Sequence, residues 1–297
     1  MKRVSLKLSL LFAACLWLGG LRAKAAAPDC SDLIAKSEKL WLDGNYSESD
    51  KILDSVISKC PTLAAPYWRK ARNIFDRIDS TPVDRLPHRG DLEARFDQMI
   101  ALADKCIDLE PANGCCWEYK GIGLGQKLAV ANMLFALRQV DEVEKIFHKA
   151  ESLRPDYRSV NGRADALGDI YDALGRFYRM TIDSKLMKKM SGVQGDLGKS
   201  VKYMRKALAL EPNKVTYNLQ LGVSLICYGY RDKEPAAVDE GKKYLEKVAE
   251  LPVVKYSDPE EKVHARVLLR HPELACSYKR EDPDVIRESE FEKSLKK

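Results

Sequence analysis

The stretch VDEVEKIFHKAESLRPDYRSVNGRADALGDIYDALGRF, Val140 to Phe177, reads as a helix, a turn and a second helix. Val140, Val143, Phe147, Ala150 and Leu153 recur at helical spacing and give the first helix one apolar face. Pro155 ends it, because proline lacks an N–H and its ring clashes with the preceding turn. The second helix is expected from about Asn161 to Tyr178 and carries Ala164, Leu167-Gly168, Tyr171 and Leu174-Gly175.

Measured against this unit, the chain divides into five. The first spans about Cys30 to Pro61, with the turn Gly44-Asn45-Tyr46. The second uses residues 64–78 and 91–109, separated by the proline-containing loop from Ser80 to Gly90. The third starts at Gly114, and the apolar run from Leu128 to Leu137 is expected to extend its first helix. The fourth carries a basic, Met-rich insert from Arg179 to Gln194, expected to add one or two amphipathic turns. The fifth turns around Gly229-Tyr230 and ends at Pro252. Ser257-Asp258-Pro259-Glu260-Glu261 then starts a further helix, with a capping residue, an early proline and acids in the first turn. From Lys279 the chain is mostly charged.

The glycine turn, and prolines closing units at 61, 111, 155 and 212, resemble the tetratricopeptide repeat (TPR), a helix pair of about 34 residues. The resemblance implies an all-α fold: a right-handed α-solenoid of about five irregular TPR helix pairs with a C-terminal capping helix. The array would cover residues 28–252, with inserts near 79–90, 126–138 and 178–194, and residues 253–297 would form the cap and tail. Within it, Trp117 to Pro252 resembles the regulator of microtubule dynamics family. That likeness lies in Lys127, Leu134-Phe135, Lys149-Ala150-Glu151, Leu167-Gly168, Tyr171 and Ala249 to Pro252. More distantly the chain looks like the periplasmic TPR component of TRAP transporters.

Residues 1–25 read as a secretory signal peptide. Met1-Lys2-Arg3 precedes an apolar run from Leu8 to Leu21, and Ala23-Lys24-Ala25 supplies the cleavage pattern. The alternative is lipoprotein processing at Cys15. No later segment is long and apolar enough for an integral membrane span. A periplasmic or secreted location follows. Five of the six surplus positive charges lie in the leader, at Lys2, Arg3, Lys7, Arg22 and Lys24. The remainder is close to neutral, and charge gives no argument for nucleic acid.

Export exposes the cysteines to an oxidising compartment. Cys30 opens one helix and Cys60 closes its partner, so their ends lie side by side and a disulfide is expected. Cys106 faces Cys115 and Cys116 across the Pro111 turn, and either is a candidate partner. No C-x-x-C motif occurs.

Catalytic motifs are missing from the sequence. His88, His148, His264 and His271 have no motif partners, and no catalytic residues, cofactor or metal are assigned. Gly121-Ile122-Gly123-Leu124-Gly125 resembles a nucleotide loop but lies at a helix start, so Gly121 is read as a close-approach residue. The expected function is a non-catalytic scaffold for protein–protein interaction. In the repeat family, the first helices of the pairs line a concave surface. Its inward positions here include Arg69 and Asn73, then Glu118, then Asp165, Asp169 and Asp172, then Leu219, Val223 and Ile226. The three aspartates would share one helical face and contact a basic segment of a partner protein or peptide. The alternative is a solute-binding accessory of a transport system, with an apolar cavity near residues 133–135 and 223–226.

Overall fold

The computed structural model describes residues 28–82, 85–131, 133–181, 183–280 and 285–288. The leader and Cys15 lie outside the described residues, as do the side chains of Met133, Leu134 and Phe135. Twelve α-helices are described: α1 (Pro28–Leu42), α2 (Tyr46–Lys59), α3 (Ala65–Asp79), α4 (Arg89–Leu109), α5 (Gly114–Val130), α6 (Met133–Leu153), α7 (Ala166–Met180), α8 (Lys185–Ser191), α9 (Leu197–Leu210), α10 (Val215–Asp232), α11 (Pro235–Glu250) and α12 (Asp258–Arg270). A 3-10 turn, Pro272–Cys276, follows. No described helix is long and apolar enough to cross a membrane.

Helices pack in succession, and α7 pairs with α9 across the short α8. Along one side α1, α3, α5, α7 and α10 each touch the next, so they form the inner layer. The alternate helices lie outside them. The core follows the apolar stripes: Trp68, Ala71, Met99, Cys106 and Tyr119 pack in one cluster, and Val143, Phe147, Ile170, Leu174 and Tyr178 in another. Gly121 is a close-approach residue, since a Cβ there would lie 2.8 Å from the Phe147 ring.

Four expectations are corrected. The run from Leu128 to Leu137 does not extend one helix; α5 stops at Val130 and α6 starts at Met133. Helix α10 continues through Gly229-Tyr230 to Asp232, and the chain turns at Lys233, in the left-handed region at φ 59°. Helix α7 begins at Ala166, not near Asn161. Leu219, Val223 and Ile226 are not a concave apolar surface; they are core residues packed with Val238, Leu245, Val248 and Leu268.

Residues 157–165, expected to be helical in part, form a small hairpin instead. Arg158 bridges Asp165, the Ser159 N–H donates to the Ala164 carbonyl, and the Ala166 N–H donates to the Tyr157 carbonyl. Gly162 supplies the turn at φ 70°, a conformation that costs glycine little. This hairpin and the non-helical linker 252–257 both run across the inner face and position the site.

Candidate functional site

On the N-terminal wall, Arg72 of α3 is buried and forks onto Glu38 of α1 at 2.9 and 3.0 Å. Tyr157 of the hairpin donates its hydroxyl to the same carboxylate. Burial pushes the Glu38 carboxyl up, but Arg72 outweighs it and holds the pKa below its usual value. Arg69 lies over the Trp68 ring at 4.0 Å and also reaches Glu38. Asn73 is wholly buried and donates to Ser49 and Asp50 of α2. Asn73 therefore ties α3 to α2 through its amide nitrogen, while its Oδ1 has no hydrogen-bond partner.

The three aspartates of α7 occupy different environments. Asp165 lies outside the helix as its N-cap, accepting from the Gly168 N–H, and pairs with Arg158 at 2.7 Å. The one-face stripe expected from i, i+4, i+7 spacing thus loses its first member, because the chain at Asp165 is extended. Asp169 accepts from Lys214 at 2.6 Å and from the Tyr217 hydroxyl at 2.8 Å. Burial opposes its charge, yet Lys214 and Lys255 hold its pKa below the usual carboxylate value.

Asp172 differs. It is 7% exposed, its Oδ1 has no hydrogen-bond partner, and Arg176 approaches its Oδ2 only to 3.9 Å. Burial, with Asp169 adding to it against Arg176, raises its pKa to about 6. Glu118 of α5 is 2% exposed. Burial and the nearby Asp169 push its pKa well above the ordinary value, against Lys214 and Arg72.

The linker 252–257 brings a cation to these carboxylates. Lys255 faces Asp169, Asp76, Asp79 and Glu261; burial opposes its charge, but these carboxylates raise its pKa. Next to it the Tyr256 ring packs on the Gly44 turn, where an added Cβ would lie 2.7 Å away. Arg163 of the hairpin sits between the Trp41 ring at 4.6 Å and the Tyr256 ring at 5.0 Å. It also donates to the carbonyls of Trp41 and Leu42. Arg280 joins Asp79 of α3 to Glu260 of α12. The C-terminal cap is thus bonded to the N-terminal helices across the inner face. Glu261, which accepts from Thr216, is raised to about 7 by burial and by Asp79.

The result is a cluster of buried and half-buried carboxylates on the inner face, with the ammonium groups of the chain's own Lys214 and Lys255 among them. Among the described residues no group of His, Cys, Asp or Glu could hold a metal ion. Elsewhere an open, polar cleft of about 690 Å³ lies between the α8–α9 loop and the end of α10, lined by Glu144, Lys188, Lys199 and Arg231 among others. The solute reading needs Val223 and Ile226 to line a cavity; both are packed in the core.

Cys30 and Cys60 are disulfide-bonded, with Cα atoms 6.8 Å apart. Cys106 pairs with Cys116, and Cys115 is a buried free thiol. Cys227–Cys276 is a third bond, not anticipated from the sequence, which fastens the 3-10 turn to α10.

Sequence reasoning also missed Glu38, Arg72, Tyr157, Arg163, Lys214 and Lys255. A signal for the hairpin was present: Asn161-Gly162 is a strong turn dipeptide inside the expected helix.

The fold defined by these helix pairs is a TPR-type helical solenoid. A thermophilic TPR protein of Thermus thermophilus, TTC0263, superposes with a TM-score of 0.54 at 12% identity, covering 81% of this chain and 99% of that one. PilF of Pseudomonas aeruginosa matches with a TM-score of 0.48 at 14% identity, over 89% and 97% of the two chains. No protein-family profile and no curated protein sequence matches.

Proposed function

We propose that this protein is an exported, non-catalytic scaffold that holds a partner protein or peptide by a basic residue at the carboxylate-rich inner face. The observation that carries the reading is the buried Asp172 carboxyl, whose Oδ1 has no hydrogen-bond partner, on the same helix as Asp169, which Lys214 neutralises. Export is supported by the leader's composition and by the three disulfides. Of the residues first expected to meet the partner, Asp172 and Glu118 retain that role. Asp169 acts with Lys214, Arg69 lies on the neighbouring α3 against Trp68 and Glu38, and Asp165 and Asn73 support the frame.

Panning a random peptide library on the full mature chain tests this. Enriched peptides should carry lysine or arginine, and raising salt from about 50 to about 500 mM should weaken their binding. Enrichment of peptides lacking any basic residue, or of none, would refute it.

A further inference from the structure

Residues 252–257 close the helical array on itself. The Tyr256 ring lies against Gly44, at the turn between α1 and α2, where an added Cβ would meet it at 2.7 Å. The Arg163 guanidinium of the hairpin stands 5.0 Å from the centroid of the same ring. Beside Tyr256, Lys255 is half-buried and is attracted by Asp169 of α7, Asp76 and Asp79 of α3, and Glu261 of α12. Each of these four carboxyls also has a direct partner. Asp169 has Lys214, Asp76 has the Trp41 indole, Asp79 has Arg280, and Glu261 has Thr216. Withdrawing Lys255 therefore leaves none of them without a partner. The rest of the segment is lightly held. Val253, Val254 and Tyr256 are 57%, 37% and 52% exposed, so lifting them uncovers little apolar surface. The Val254 and Lys255 N–H groups donate to Asp258, which opens α12 and does not belong to the N-terminal helices. A segment with few buried apolar contacts opens at a small cost in free energy.

We infer that residues 252–257 are a strap that serves as the chain's own ligand: Lys255 stands among the inner-face carboxylates where a partner's basic side chain binds, and the partner enters by displacing it. This rests on the proposed function and adds the regulation of the same face. The exchange is balanced in charge, since one ammonium leaves the carboxylates as another cation arrives. An acidic or neutral segment offers no such replacement and leaves the strap in place. A strap that competes from within the chain lowers the apparent affinity of a partner by the fraction of molecules in which it is open. Tyr256 on the Gly44 turn and Lys255 among the carboxylates together set that fraction. Weakening either contact frees the face without touching the carboxylates that bind.

Fluorescence anisotropy with fluorescein-labelled octalysine, on the full mature chain at pH 7, tests the strap. Lys255→Ala removes the competing ammonium, and Tyr256→Ala loosens the strap without changing charge. Each should bind octalysine at least fivefold more tightly than wild type. Lys243→Ala, at an exposed position on the outer helix α11, removes the same charge away from the inner face and should change affinity less than twofold. Hydrogen exchange on the wild-type chain gives a second readout that does not depend on how the variants fold. Saturating octalysine should speed exchange of the amides of residues 253–257, because the strap is displaced. Slower exchange there, or Lys243→Ala acting as strongly as Lys255→Ala, overturns the inference. Octalysine that binds wild type and both strap variants equally would remove the strap and leave the scaffold reading standing. Octalysine that binds none of these chains would remove both.

Discussion

The Arg163 guanidinium lies 4.6 Å from the ring centroid of Trp41, a residue 122 positions earlier in the chain, and donates to that residue's carbonyl at 3.0 Å. The hairpin between α6 and α7 is thereby locked onto the first helix pair. Arg163→Met would leave the carbonyls of Trp41 and Leu42 without their donor. It should cost about 2–4 kcal/mol of stability, measured by urea unfolding at pH 7. A loss under about 0.5 kcal/mol, the scale of an ordinary surface substitution, would mean that the hairpin is held by other contacts.

Asp172 and Glu261 make stability fall with rising pH. Their folded pKa values, about 6 and about 7, stand above those of an unfolded chain. The stability they contribute is complete below about pH 4 and is lost as pH rises through 6 and 7. The Asp172→Asn, Glu261→Gln double variant should be more stable than wild type by about 2–4 kcal/mol at pH 8 and level with it at pH 4. Thermal melts across that range check the sign.

Lys255 acts in the opposite sense. At pH 8 its ammonium offsets Asp76, Asp79, Asp169 and Glu261 together. Lys255→Met should therefore destabilise more at pH 8 than at pH 5, where part of that charge is titrated. It should also speed hydrogen exchange in residues 252–257. Equal losses at both pH values would show that Lys255 contributes packing, not charge.

The cysteines give a covalent prediction. Peptide mapping under non-reducing conditions should recover Cys30–Cys60, Cys106–Cys116 and Cys227–Cys276, with Cys115 free. Replacing Cys30 and Cys60 together by serine opens a loop of 30 residues. Chain entropy puts the cost at about 3.6 kcal/mol.

The helical array was legible because its signals are local. Apolar residues at 3.6-residue spacing, and prolines just past each unit, specify where a helix packs and where it stops. The Cys30–Cys60 bond was legible for the same reason, since adjacent antiparallel helices bring their ends together. Cys227–Cys276 was not, because it joins α10 to a turn beyond α12 and depends on how the cap folds back. The carboxylate cluster was half legible. Helix spacing put Glu118, Asp169 and Asp172 on α5 and α7, two helices of the inner layer. Asp165 was misplaced because Asn161-Gly162 was read within a helix pattern, where a hairpin turn competes successfully. Lys214 and Lys255 come from segments remote in sequence, and no periodicity links them to α7. Their arrival depends on the cap crossing to Asp79 and the Gly44 turn, which is long-range geometry.

The most direct test of a ligand at the inner face is site-specific photo-crosslinking. Tyr256 is half exposed beside Lys255, and Tyr230 is similarly exposed near the far end of α10. The thirteen residues from Tyr217 to Tyr230 place the second site roughly 20 Å along the helix from the Asp169–Tyr217 contact. With a photoreactive phenylalanine at each position in turn, a lysine-containing peptide from the library should crosslink at 256 and not at 230. Crosslinking at 230 that equals or exceeds that at 256 would contradict the account.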